Sequence, residues 1–353
     1  MIFDAHHYVP VLKVKRGEKK ALGQVSSAVR AKVTPLLEIV ERTADKTLEN
    51  HLRTAFSGLA TSVQAFGRCF IDTHEIASDG PDGAAAVFEM AVCSGIIFTP
   101  VTGINRSADT AAALKYGLQG VALRLDRSDF EAGRLAAGVL KFLSRHHLDP
   151  ENVDLIIDLG AVDKLVSYGV KRLATSFLKE VPDHKRWRTF TLSASAFPSS
   201  MGVVGRSSHV FIERADWIAW RDSLYGYRTK ISRLPTYSDG GIQNPKGVEG
   251  FNPKTMQVSA CIRYTKNDSW LLIKGESTRR TAASEQFPLL AKQIVSGRLH
   301  KYYYGAHHCE GCAGMRACAM GLGGYGSAEA WRRLGTIHHI TTVVQELDAL
   351  AWP

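Results

Sequence analysis

The 353-residue sequence predicts a (β/α)8 barrel of the TIM type with a C-terminal α+β elaboration over one mouth. Three observations lead there. Eight short apolar runs, each followed by a helical or connecting segment, fit within the first 225 residues. The runs are mostly continuous, as strands buried on both faces of a parallel sheet must be. No G-x-G-x-x-G follows the first run, which argues against the runner-up, an open doubly wound sheet carrying a dinucleotide fingerprint.

The elements follow in order. The strand-like runs are 8–13, 33–39, 69–72, 96–101, 121–125, 153–158, 188–192 and 210–213. Helical patterns follow at 17–32, 45–64, 83–93, 108–116, 128–146, 162–179, a short segment near Ser199, and 217–224. This assigns the barrel to 1–225 and the elaboration to 226–353. In the latter, 238–245 is turn-rich, and 258–264 with 270–274 reads as a β-hairpin. Helices are expected over 282–296 and from Ala328 through Leu350.

Composition narrows the class. With 45% hydrophobic and 22% charged residues, disorder and coiled coil are excluded. No apolar run approaches the ~20 residues of a membrane span. The opening residues lack a signal-peptide h-region, and six cysteines are too few for a disulfide framework, so a reducing cytoplasm is expected. The net charge of +10 favours phosphate-bearing ligands or nucleic acid, although spread-out charge serves solubility equally well.

In a parallel barrel the C-terminal strand ends converge on one mouth. Polar residues closing the runs are Lys13 and Lys15, Glu38, Asp72, Thr102, Arg124, Asp158, Ser193 and Ser195, then Glu213 and Arg214. Glu38, Asp72 and Asp158 supply the hard oxygen ligands that select Mg²⁺ or Mn²⁺. Lys13, Lys15 and Arg124 would stabilise phosphoryl charge, with Asp158 in the catalytic set. Paired carboxylates also suit metal-free acid–base chemistry. The plain alternative is mutual ion pairing, Glu38 with Lys13 and Asp158 with Arg124.

Three further groups stand out. Cys309 and Cys312 form a C-x2-C knuckle that, with Cys318 and a nearby histidine, would suit zinc, against free thiols in a loop. Tyr237, Asp239, Arg263, Tyr264 and Lys274 would stack on a base or hold a phosphate, against an ordinary hairpin with a polar face. The glycine-rich tract 321–326 lacks the G-K-[ST] ending of a P-loop and reads as a connector. The pair His338–His339 lies in a helical pattern, one histidine facing the core or a polar neighbour.

The segments 8–18 (YVPVLKVKRGE) and 34–39 (TPLLEI) resemble the opening of the phage-type Beta protein family. The likeness continues through 70–72, 155–158, 197–198, 237–239, 262–264 and 331–339. It implies a phage, mobile-element or antiviral-defence setting. The cysteine cluster has no place in the family pattern.

Two functions compete. One is a metal-dependent phosphodiesterase or nuclease at the barrel mouth. The other is a non-catalytic component of phage–host conflict that binds nucleic acid or a partner protein, without a membrane. A third reading makes Lys13 or Lys15 an amine nucleophile of depressed pKa.

Overall fold

The computed structural model describes residues 3–350 apart from residues 5, 132, 247–258 and 280. Its centre is a closed barrel of eight parallel strands. These are β1 (Tyr8–Lys13), β2 (Leu36–Glu38), β3 (Cys69–Asp72), β4 (Phe98–Thr102), β5 (Val121–Leu125), β6 (Val153–Ala161), β7 (Thr189–Ser195) and β9 (Thr236–Asp239). β9 closes the ring by pairing with β7 on one side and with β1 on the other, Tyr8 opposite Tyr237.

Alternation along the strands builds two cores. Inward, Val9, Val11, Leu36, Phe70, Val101, Ala122 and Ile156 fill the barrel beneath Phe3. Outward, Leu12, Leu37, Ile71, Leu123, Leu155, Ile157 and Leu192 pack against the helices. At the N-terminal end the buried Asp154 accepts hydrogen bonds from Arg68 Nη1 (2.9 Å), Arg188 Nη2 (2.7 Å) and Thr189 Oγ1 (2.8 Å). That arrangement satisfies an otherwise costly buried charge.

The expected eighth strand needs correction. The segment 210–213 belongs to β8 (Ser208–Glu213), which leaves the barrel and joins an antiparallel sheet with β10 (Ser259–Lys266) and β11 (Ser269–Ser277). The barrel therefore extends past residue 225, and a cut there would remove its closing strand. The hairpin forms as expected, apart from Val258, which lies outside the described residues.

The expected C-terminal helices are present as Ala283–Val295 and Ala328–Asp348, with Glu310–Ala319 between them. The last of these in the chain, Ala328–Asp348, lies along the outside of β1 and β9, where a barrel's eighth helix belongs. Its Ile340, Val343, Val344 and Leu347 join the cluster containing Tyr8, Leu12 and Tyr237. The small sheet is thus built from insertions after β7 and β9, both at the C-terminal face of the barrel. A second core of Ile262, Tyr264, Leu271, Phe287, Met315 and Trp331 packs between the hairpin and the three C-terminal helices.

Candidate active site at the barrel mouth

The inward polar residue at the end of each strand sets the site. Arg124, at the end of β5, is its hub and is 7% exposed. Its Nη1 donates to Glu38 Oε1 (2.9 Å) and Asp72 Oδ2 (2.6 Å), while Nε and Nη2 donate to Asp158 Oδ2 (3.0 and 2.6 Å). The three carboxylates converge as the sequence suggested. They converge on a guanidinium, however, which takes the place that the metal reading gave to a divalent cation.

A second ring of partners surrounds the hub. Arg106 Nη1 donates to Asp72 Oδ1 at 2.7 Å, the Gly160 amide to Asp158 Oδ1 at 2.8 Å, and Lys13 pairs with Glu75. These environments separate the carboxyls. Burial raises Glu38 above the ordinary range despite Arg124. Burial would raise Asp72 too, but Arg106 and Arg124 outweigh it and hold that carboxyl well below the usual range. Carboxyls of opposite displacement on one arginine are the arrangement from which a proton donor and a permanent anion are drawn.

The rim of the mouth is basic. Lys15 precedes the helix Arg16–Leu22, and its pKa is lowered by burial and by Lys13. Arg263 Nη1 donates to Ile242 O at 2.7 Å, just past β9. Arg332 reaches across from the C-terminal helix, with Nη1 3.7 Å from Glu18 Oε1. Burial and the adjacent Arg263 push the Arg332 guanidinium below its ordinary pKa. An arginine stays charged nonetheless. Two cations therefore crowd each other over one carboxylate, Glu18.

The remaining predicted ligand residues lie elsewhere. Successive strand positions face opposite sides, so Arg263 meets the mouth while Tyr264 enters the second core and stacks on His338 at 3.9 Å. Tyr237 and Asp239 are on the outer barrel face, where Asp239 takes bonds from Tyr237 Oη (2.9 Å), the Gly241 amide (2.8 Å) and Tyr8, and faces His339 Nε2 at 3.0 Å. Lys274 Nζ caps the carbonyls of Met201 (2.9 Å) and Val204 (3.0 Å). Glu213 accepts from the Ser167 amide at 3.2 Å, and Arg214 binds Glu346 at 2.7 Å, so neither lines the mouth. Ser195 Oγ donates to Gln243 O at 3.1 Å.

The sequence reading missed Arg106, Glu75 and Arg332. Arg106 and Glu75 sit in the segments directly after β4 and β3, a position that could have marked them. Arg332 carries no such signal, since it depends on where the last helix docks. Among the histidines and cysteines, His308, Cys309 and His338 place their ligand atoms within 4.8 Å of one another. Cys312 is beside them, and Cys318, expected in that group, is buried further along the same helix.

No helix among the described residues is long and apolar enough to cross a membrane. The family model described as Beta protein matches residues 8–345. No curated protein matches.

Proposed function

The chain belongs to the Beta protein family, and from that premise we propose that its barrel mouth binds and cleaves a phosphate ester, nucleic acid or a nucleotide among them. The supporting observation is the crowding of Arg263 against Arg332, with Lys15 near Arg332 and Glu18 the carboxylate the two arginines share. A phosphate seated between the two arginines would relieve their repulsion and accept bidentate hydrogen bonds. Glu38, whose pKa burial raises, would donate a proton to the leaving oxygen, and Asp158 would accept one from the attacking water. Arg124 holds both in place. This chemistry runs without a divalent ion on Glu38, Asp72 and Asp158. A defence setting, with foreign nucleic acid as the target, accords with the family.

Fluorescence anisotropy with labelled single-stranded DNA and RNA tests the binding. Arg263→Ala and Arg332→Ala should each weaken it and reduce the slope of log K against log salt by roughly 0.7 for each phosphate no longer neutralised. Glu38→Gln and Asp158→Asn should retain binding and lose turnover of the same oligonucleotides, assayed with and without Mn²⁺. Silent carboxylate variants beside weakened arginine variants would instead make the protein a binding component. No affinity for either nucleic acid, for nucleotides or for pyrophosphate would overturn the reading.

A further inference from the structure

We infer that Cys309, Cys312, His338 and His308 bind one structural Zn²⁺ that fastens the helix Glu310–Ala319 to the C-terminal helix. This site lies in the second core, apart from the barrel mouth, and stands whether or not the mouth acts on phosphate.

The spacings of His338 from the two sulfurs suit a tetrahedral site. His338 Nδ1 lies 3.3 Å from Cys312 Sγ and 3.9 Å from Cys309 Sγ. With Zn–S near 2.3 Å and Zn–N near 2.05 Å, tetrahedral angles put sulfur and nitrogen about 3.6 Å apart. The two observed spacings bracket that value. His308 completes the set, with a ring nitrogen within 4.8 Å of the Cys309 and His338 ligand atoms.

The outer shell points the same way. His338 Nε2 lies 2.7 Å from the Thr265 carbonyl oxygen, which can only accept, so Nε2 carries the proton and Nδ1 offers its lone pair to the sulfurs. Metal-bound histidines are held in this manner. Cys309 caps its helix, and its sulfur accepts the Cys312 amide at 3.4 Å, a bond that supports thiolate charge. His308 Nε2 meets Thr342 Oγ1 at 3.1 Å.

Close helix approach is built in at Gly311, between the two cysteines. A Cβ there would lie 2.4 Å from the Leu334 carbonyl oxygen, so only glycine lets the knuckle reach His338. On binding, Zn²⁺ displaces the two thiol protons, and the two thiolates balance its charge. Cys318 has no part in the site.

The test uses the full chain purified with reductant and no added chelator. Elemental analysis should give one zinc per chain. Chelation should lower the melting temperature, and zinc should restore it. Co²⁺ added to the metal-free chain should give thiolate charge-transfer and intense visible bands in wild type and Cys318→Ser, absent in Cys312→Ser and His338→Gln. Thr342→Val should weaken metal affinity about 10-fold through the outer shell. Should a core variant fail to fold, the wild-type zinc content and chelator response still decide. Wild-type chain that takes up no equivalent of Zn²⁺ or Co²⁺, or that holds Cys309 and Cys312 as a disulfide under reductant, overturns the inference. Cobalt bands unchanged in folded His338→Gln overturn it equally.

Discussion

Replacing Arg124 with methionine keeps most of the side-chain volume and removes the one group that touches Glu38, Asp72 and Asp158 together. The local set holds five carboxyls, counting Glu75 and Asp109, against the cations Lys13, Arg106 and Arg124. The substitution leaves five against two. Removing one partner from a buried, hydrogen-bonded ion cluster costs about 3–5 kcal/mol. With an unfolding entropy of about 2.1 cal/mol/K per residue, a chain of this length unfolding as one unit should melt about 4–7 °C lower. Calorimetry at pH 7 and pH 5 checks both size and sign. Without the guanidinium, burial raises Glu38 further above its unfolded value, and Asp72 keeps only Arg106 to hold it down. The penalty is then greatest at high pH and fades as pH falls through that raised value. The gap between Arg124→Met and wild type should therefore be wider at pH 7 than at pH 5. A melting temperature within about 1 °C of wild type, well short of that cluster cost, or a gap that widens in acid, would refute the account of the hub.

Other expectations follow from the same bonds. Asp154→Ala strands Arg68 and Arg188 at the barrel floor and should cost about 3–5 kcal/mol, read from denaturant midpoints. Burial and the neighbouring Asp239 push Asp216 up to about 7. Because that value exceeds the unfolded one, this group's contribution to stability should decline as pH rises from about 4 to 7. Carboxyl ¹³C NMR should show Asp216 titrating near neutrality, and a midpoint in the ordinary carboxylate range would contradict this. Gly311→Ala should force the two C-terminal helices apart and lower the melting temperature. A fragment ending at residue 225 lacks β9 and should show no cooperative thermal transition by near-ultraviolet circular dichroism.

The barrel was legible because seven of its strands are apolar runs of ordinary length. The eighth was not. Thr236-Tyr-Ser-Asp239 places Thr236 and Ser238 on the inner side and reads as a loop, whereas Val210-Phe-Ile-Glu213 has a barrel strand's composition and serves another sheet. Local hydropathy measures burial and says nothing of which sheet provides it. The mouth was half legible for a related reason. Strand-end polarity located Glu38, Asp72, Arg124 and Asp158, and it allowed the pairing of Asp158 with Arg124. That one arginine would bridge three strands depends on barrel geometry. The C-x2-C knuckle announced itself, while its histidine partner, 26 residues from Cys312, became visible only when two helices met.

Ring closure between β1 and β9 also bears on the nascent chain. Tyr8 must wait for Tyr237 to be translated before it gains its second neighbour. At about 5–20 residues per second the ribosome needs roughly 10–45 s for that stretch. Throughout it, β1 presents an unpaired edge to every other polypeptide nearby. Lys13 ends that edge with a charge, which discourages intermolecular strand addition.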